Sequence, residues 1–243
     1  MTTPAPAPRA GAAHSQTLAR GIRLLELLAE ASTPRTIAEL AADLGVHRSI
    51  AYRILRTLED HRLVMRDESG RVQSAPGLAV LARGVQRDLQ SAALPELTVL
   101  ANDLQMSAFI AVWDHHDCTT LLTVEPRHGH GAVLQRPGTR HPFDQGAPGI
   151  AIQSSQTEAQ WARISPGQPY REEATRARVI GYATSIDEVI SGVSSVAVPL
   201  QVPGQLPAAI SVVYATALNP METAAIGQRL RAAAVAIENV LGS

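Results

Sequence analysis

Residues 36–73 read TIAELAADLGVHRSIAYRILRTLEDHRLVMRDESGRVQ, and this stretch decides the fold of the N-terminal third of the chain. Its first segment carries apolar residues at i, i+3, i+4 and i+7 from Ile37, which is the spacing of one helix face. Thr36 followed three residues later by Glu39 is the pattern of a capping box, and Gly45 is typical of the turn after a helix. The stretch therefore begins with a short, well-delimited helix.

A second predicted helix, residues 47–61, follows the glycine turn and carries a polar face opposite its apolar stripe. The residues on this face and at the leading end of the helix are His47, Arg48, Ser49, Tyr52, Arg53 and Arg56. Two short helices joined by a glycine-containing turn form a helix-turn-helix, whose second helix presents side chains to base edges in the major groove. Arginine can bond to guanine with two hydrogen bonds. The pattern predicts DNA binding, against the alternative of an ordinary solvated helix face.

Two β-rich runs, residues 63–65 and 71–73, flank a turn that ends in Gly70. They predict a hairpin, which directly after a recognition helix forms a wing. Arg66 and Arg71 are the expected phosphate contacts of this wing, and phosphate contacts position a protein on DNA without reading its sequence. Together with Thr36, they complete the predicted set of DNA-binding residues.

The second half of the chain alternates hairpins and helices. Residues 76–103 predict a helix interrupted near Pro95, residues 147–154 a short helix, and residues 220–241 a long closing helix. The β-rich runs lie at residues 107–113, 118–124, 194–200 and 208–215. This order predicts an α+β domain in which helices flank an antiparallel sheet.

The bulk composition excludes several classes of protein. The 243 residues are 45% hydrophobic and 18% charged, which is enough to bury a core. No apolar run approaches the ~18 residues of a membrane span, and residues 1–14 are expected to form a disordered tail with no secretory signal. Cys118 is the only cysteine, so a reducing cytoplasm is the expected compartment. Residues 1–90 carry a net charge of +3 and residues 91–243 a net charge of −4, which suits a nucleic-acid module joined to another domain.

Several segments resemble one known family. SQTLARGIRLLELLAE, TIAELAADLGVHRSIAYRILRTLEDHRLVMRD and GRVQSAPGLAVLARG are similar to the N-terminal domain of the IclR family of transcription regulators. SAFIAVWD, RHPFDQGAPGIAI, ARVIGYATSIDEVISGVSSVAVPL and LPAAISVVYA resemble its effector domain, which is similar to a GAF fold. The resemblance implies a winged helix-turn-helix over residues 15–75, a linker helix over residues 76–91 and a GAF-like effector-binding domain over residues 92–243.

The resemblance also implies partners. It implies a homodimer or a dimer of dimers that binds a palindromic operator in double-stranded DNA and responds to a small organic effector. The candidate effector-binding residues are Phe109, Ala111, Asp144, Gln145, Gly146, Ala147, Ser194 and Ser195, although ordinary core or loop packing is an alternative for each. The chain departs from the family's Pro-x-His-Ala-Thr-Ala-x-Gly-Lys at residues 142–150, where Asp144 replaces the histidine. An acid there disfavours an anionic effector unless Arg140 or another cation offsets it.

Two other functions stay open on the sequence alone. The C-terminal half could be an enzyme of small-molecule metabolism, or it could be a ligandless dimerisation module that leaves DNA binding constitutive. The chain has no Gly-x-Ser-x-Gly elbow, phosphate-binding loop or dinucleotide fingerprint, so neither catalysis nor a cofactor is expected. The run from His115 to Cys118 contains zinc-ligand types, but neighbouring strand residues point to opposite faces, which favours a solvated hairpin tip without metal.

Overall fold

The computed structural model describes residues 15–128, 135–218 and 221–242, so the predicted disordered tail, residues 1–14, lies outside the described residues. The chain divides into two compact units, Met1–Val85 and Gln86–Ser243. Each unit contains hydrophobic clusters of its own. The two units are therefore taken in turn.

The first unit contains three helices, a hairpin and a short fourth helix. Its elements are α1 (Gln16–Glu30), α2 (Ile37–Asp43), α3 (Arg48–Asp60), β1 (Val64–Arg66), β2 (Val72–Ser74) and α4 (Gly77–Ala82). Strand β1 pairs antiparallel with β2, with Met65 opposite Gln73. An isolated bridge from Arg35 to Val72 ties the segment before α2 to the hairpin. This is the predicted winged helix-turn-helix.

The core of the first unit draws on every main element. Leu24 of α1, Leu40 of α2 and Leu55 of α3 are each 0% exposed, and Val64 and Val72 add the two strands of the hairpin. Burying a leucine side chain contributes about 1.5–3 kcal/mol, so these contacts fix the hairpin and the helices as one body.

The described residues of the second unit form one sheet and five helices. Its helices are α5 (Arg87–Leu104), α6 (Ala147–Ser154), α7 (Glu158–Ile164), α8 (Glu172–Ile180) and α9 (Thr223–Gly242), with a 3₁₀ turn at Thr216–Leu218. Its strands are β3 (Ser107–Trp113), β4 (Asp117–Val124), β5 (Arg140–Pro142), β6 (Ala183–Ile186), β7 (Val193–Leu200) and β8 (Ala208–Ala215). The strand order is β5-β4-β3-β8-β7-β6, and each neighbouring pair is antiparallel.

Both faces of this sheet are covered. Alternate residues of β3, such as Ile110, face a core shared with α5 and α9. The other alternate residues, such as Trp113, belong to clusters on the opposite face, where α6 and α7 pack. Because both faces are buried, the central strands read as continuous apolar runs. The predicted α+β class, with helices flanking an antiparallel sheet, is confirmed.

The helix predicted over residues 76–103 differs from the observed one. It breaks between α4 and α5, where Gln86 adopts a left-handed backbone with φ 47° and ψ 40°, and Pro95 lies inside α5 without interrupting it. A proline inside a helix costs roughly 3 kcal/mol. Burial of Leu89 and Leu97 against the sheet offsets that cost, so packing overrides the local signal.

Candidate DNA interface and effector pocket

A side-chain cap fixes the start of α2, and a glycine forms the turn that follows the helix. The Thr36 Oγ1 atom accepts a hydrogen bond from the Glu39 backbone N–H at 3.2 Å, and the Glu39 carboxylate accepts one from the Thr36 backbone N–H at 2.6 Å. These bonds from Thr36 lower the pKa of Glu39 from its ordinary 4.5. Gly45 adopts φ +62°, which a side chain would disfavour. Thr36, a predicted DNA contact, thus has its hydroxyl engaged at the N-terminus of α2.

His47 caps the recognition helix. Its Nδ1 atom accepts a hydrogen bond from the Ser49 backbone N–H at 3.3 Å and lies 2.9 Å from the Ser49 Oγ atom. The first turn of α3 is therefore held by a residue that was predicted to touch DNA.

One side of α3 is buried and the other is exposed. Ala51, Ile54 and Leu55 face the core. The opposite side, called the α3 recognition face below, is exposed and consists of Arg48, Ser49, Tyr52, Arg53 and Arg56. The face has the polarity and charge that base edges and phosphates require, and a duplex can reach it.

The two wing arginines differ in their partners. The Arg66 Nε atom lies 2.6 Å from Glu59 Oε1, and the Arg66 guanidinium lies 6.0 Å from the ring centre of Tyr52. Arg71 is 47% exposed at its side chain and donates a hydrogen bond to the Pro34 carbonyl oxygen at 3.2 Å. The Arg66 guanidinium is thus held in an ion pair within the protein, whereas the Arg71 side chain is partly exposed to solvent.

A small cavity of about 70 Å³ opens in the second unit beside the N-terminus of α6. It is lined by Phe109, Gln135, Thr139, His141, Gly146, Pro148, Ser185, Val189, Ile190, Val193, Ser195 and Val213. Burial lowers the pKa of His141 from its ordinary 6.5, so its imidazole is neutral at neutral pH. The cavity wall therefore combines apolar side chains with uncharged hydrogen-bonding groups.

Side chains of the protein accept hydrogen bonds from the backbone N–H groups of Gly146 and Ala147 at the N-terminus of α6. The Gly146 N–H donates to the Glu188 carboxylate at 2.8 Å. The Ala147 N–H donates to the hydroxyls of Ser185 and Ser195 at 3.1 and 3.3 Å, and those two hydroxyls lie 2.8 Å apart. Two strands and a loop thereby converge on one helix end.

The structure distributes the eight predicted effector residues unevenly. Phe109, Gly146 and Ser195 line the cavity. Ala111 and Ala147 are fully buried in the clusters behind it. Three others lie elsewhere: Asp144 is exposed, Gln145 is half-buried, and Ser194 bonds to Thr216 at 2.8 Å.

Ser194 and Ser195 show how far the sequence alone can predict the wall of the cavity. Neighbours on a strand face opposite sides, so only one of the two can line a given cavity. Ser185 was not predicted, although it pairs directly with Ser195 in the β6–β7 register. His141 was not predicted either. It lies in β5, an edge strand of three residues, which is too short to show an alternating pattern of polar and apolar residues.

Two kinds of site are absent from the described residues. No group of three or more His, Cys, Asp or Glu side chains there could hold a metal ion. No helix in the same part of the chain has both the length and the apolar character that crossing a membrane requires.

A winged helix-turn-helix with an exposed basic recognition helix, followed by an α+β domain, defines a DNA-binding transcription regulator. Residues 17–68 match the family described as the IclR helix-turn-helix domain. The structure of an IclR transcriptional regulator from Alicyclobacillus acidocaldarius is similar to this chain with a TM-score of 0.78 at 25% identity, over 95% of this chain and 100% of that one. Residues 17–68 are thus an IclR-type helix-turn-helix domain, and the whole chain is similar in fold to regulators of that family.

Two further relatives extend the comparison. The glycerol operon regulatory protein of Streptomyces griseus is 25% identical over 209 residues, which are 78% of this chain and 80% of the relative. An IclR homologue of Microbacterium hydrocarbonoxydans, solved in complex with 4-hydroxybenzoate, matches with a TM-score of 0.79 at 22% identity, over 93% of this chain and 99% of that one. At that identity the likeness concerns the fold.

Proposed function

We propose that this regulator binds operator DNA with the α3 recognition face, and that a small organic molecule in the cavity beside α6 changes its affinity for the operator. The observation that carries the proposal is the exposure of the whole α3 recognition face, while the same helix buries Ala51, Ile54 and Leu55. In a helix-turn-helix, side chains of the recognition helix contact base edges in the major groove. A structural helix would have no need for an exposed row of arginines beside a tyrosine.

The proposed assembly is a homodimer, or a dimer of dimers, on a palindromic operator in the cytoplasm. Regulators with a helix-turn-helix read two half-sites about one helical turn apart, so the symmetry of the operator mirrors the symmetry of the dimer. In this proposal residues 15–75 form the DNA-binding domain, residues 76–91 the linker and residues 92–243 the effector-binding domain. Neither a catalytic step nor a cofactor forms part of the proposed mechanism.

Effector binding is supported by the cavity and by the relatives. The homologue that binds 4-hydroxybenzoate shares the fold, and the glycerol operon regulator is 25% identical. A ligand changes operator occupancy only if it binds one arrangement of the protein more tightly than the other. The cavity touches residues of five strands, β3, β5, β6, β7 and β8, and of the loops before β5, α6 and β7, so a ligand there could favour one arrangement of the sheet.

The test is a mobility-shift assay of the full chain on promoter DNA of the neighbouring genes. We expect a specific shift that competing unrelated DNA does not remove, and we expect a small organic metabolite, with glycerol among those tried, to change it. Absence of any specific shift would overturn the DNA-binding proposal. A shift that no metabolite of a broad library changes would overturn the effector proposal.

A second candidate, constitutive DNA binding with no effector, is favoured by the size of the cavity. Its volume of about 70 Å³ is well below the ~300–1,000 Å³ of typical small-molecule sites. Thermal unfolding against a metabolite library separates the two candidates, because a ligand that binds only the folded protein raises its melting temperature. No stabilising compound is expected for a ligandless domain.

A further inference from the structure

The N-terminus of α6 is the natural place for an anionic ligand, but here a carboxylate of the protein occupies it. Helix N-termini attract anions because their first backbone N–H groups have no partner within the helix. The Glu188 carboxylate accepts the Gly146 N–H at 2.8 Å and is clamped by Arg171, whose guanidinium nitrogens lie 3.1 and 3.2 Å from its two oxygens. The Ala147 N–H is bonded to two serines, and Pro148 has no N–H to offer.

The described wall of the cavity contains no charged side chain. All of the described residues that line it are uncharged, and the single histidine, His141, has a pKa lowered by burial. Its Nδ1 atom lies 3.1 Å from the Pro142 carbonyl oxygen, which can only accept a hydrogen bond, so this nitrogen carries the ring proton. Arg140 is exposed and does not line the cavity.

Arg171, which binds the Glu188 carboxylate, already has further acceptors for its hydrogen bonds. Besides Glu188, Arg171 lies 3.3 Å from Glu173 and donates to the Asp144 carbonyl oxygen at 2.7 Å. One guanidinium therefore faces two carboxylates, and an anionic ligand would add a third negative charge. Moving a charged group from water into such a site without a countercharge is strongly unfavourable.

The serine pair supplies a specific hydrogen-bond donor. Each serine hydroxyl has one hydrogen and two acceptor lone pairs. One hydrogen forms the bond between Ser185 and Ser195, and the Ala147 N–H uses acceptor positions on both oxygens. The second hydroxyl hydrogen has no acceptor among the residues that the structure describes, and both serines line the cavity. An oxygen atom of a ligand would accept it.

The remaining wall is apolar and the space is limited. Phe109, Val193 and Val213 lie on neighbouring strands of the same sheet face as the serine pair. A volume of about 70 Å³ limits a ligand to few heavy atoms, since typical small-molecule sites measure ~300–1,000 Å³. The site suits a compact molecule with one polar end and one short apolar end.

We propose that the cavity selects small uncharged molecules that carry an oxygen acceptor, such as alcohols or carboxamides, over carboxylates of the same shape. This inference deepens the proposed function and rests on it for the regulatory consequence, but ligand binding itself is measured without DNA. The oxygen accepts a hydrogen bond from the serine pair, and the short apolar end contacts Phe109 and the valines.

The test compares propionamide with propionate, which have the same shape and differ in charge at neutral pH. Calorimetric titration and melting temperatures are measured on the full chain. We expect the amide to bind at least about tenfold more tightly than the acid, because only the acid must lose the hydration of a charge. Equal or tighter binding of propionate overturns the inference, and so does failure of both probes to bind.

Two sets of variants sharpen this result. Ser185→Ala/Ser195→Ala should weaken propionamide binding about tenfold or more, whereas Ser194→Ala, next in the same strand but bonded to Thr216, should leave it unchanged. Glu188→Gln should raise the affinity for propionate relative to propionamide by releasing a positive charge on Arg171, and Glu158→Gln, at the exposed start of α7, should not. An unchanged ratio in Glu188→Gln contradicts the charge argument even if the variant is less stable.

Operator affinity measured with and without propionamide separates this inference from the proposed function. If the amide binds selectively but operator affinity does not change, the selection of uncharged ligands is supported and the effector control of operator binding is overturned. A response of operator affinity to propionate alone supports effector control and overturns the ligand class.

Discussion

At the scale of single residues, Arg53 and Arg66 carry the same charge but are held differently. Arg66 is paired with Glu59 at 2.6 Å and its side chain is 29% exposed. Arg53 is exposed on the α3 recognition face, and no carboxylate in the described part of the chain forms an ion pair with it. A paired guanidinium must give up or share its partner before it binds a base or a phosphate. We therefore expect Arg53 to contribute more to operator affinity.

The variant Arg53→Ala should weaken operator binding by about 1–3 kcal/mol, the usual value of one good contact to a base. Arg66→Ala should cost less. Fluorescence anisotropy with labelled operator at a fixed salt concentration measures both. Arg176→Ala is the matched control, since its side chain is 72% exposed on α8 in the other unit. Equal affinities of Arg53→Ala and the control would contradict the assignment of α3.

At the scale of elements, the start of α2 depends on the pairing of Thr36 with Glu39. The lowered pKa of Glu39 means that its carboxylate is stabilised in the folded state. Its contribution is complete above the unfolded value of 4.5 and is lost as the pH falls through the lower folded value. Acid should therefore weaken this helix start before the core itself is affected.

Glu39→Gln keeps the shape of the cap but removes its charge. We expect a lower melting temperature than that of the natural chain at neutral pH, and a difference that closes as the pH is lowered below 4.5. Glu68→Gln, an exposed acid in the turn of the hairpin, serves as the control. A difference that persists unchanged in acid would show that the effect of the variant is not electrostatic.

The position of α6 depends on a close backbone approach. A methyl group at Gly149 would overlap the carbonyl oxygen of Phe143, whereas one at Gly167 would meet open space. Gly149→Ala should therefore lower the free energy of unfolding by about 1–3 kcal/mol, as overpacking does, and Gly167→Ala should have little effect. Urea unfolding monitored by circular dichroism measures both. Coincident transitions of the two variants would argue against this packing of α6.

Local signals are sufficient for some elements and not for others. The caps and apolar spacing of α2 and α3 predict both helices and the exposed side of α3 because they act within a few residues. The pairing of Ser185 with Ser195 depends on the β6–β7 register, and the cavity depends on several further segments that are distant in sequence, so no local pattern reveals it. Pro95 predicts an interruption of α5 that does not occur, because packing against residues distant in sequence offsets the cost of a proline inside the helix.

At the scale of the whole molecule, charge is divided unequally along the chain. Residues 1–90 carry a net +3 and residues 91–243 a net −4. Phosphate contacts release counterions from DNA, so operator affinity should fall steeply as the salt concentration rises. The acidic second half should not contribute to that dependence.

Arg71→Ala tests this expectation on one residue. Because its partly exposed guanidinium is a proposed phosphate contact, we expect weaker binding on operator and unrelated DNA alike, and a slope of log affinity against log salt that is smaller by about 1. Arg53→Ala should instead reduce the preference for the operator. A loss confined to the operator in Arg71→Ala would assign that residue to base reading.

The buried aromatic cluster of the second unit provides a built-in optical probe. The chain has two tryptophans, Trp113 and Trp161, which are each 1% exposed with ring centres 5.0 Å apart. Both belong to the cluster that includes α6, and neither belongs to the unit that carries α3. Indole fluorescence therefore reports only on the second unit, so the emission spectrum can follow that unit in the presence of DNA without any added label.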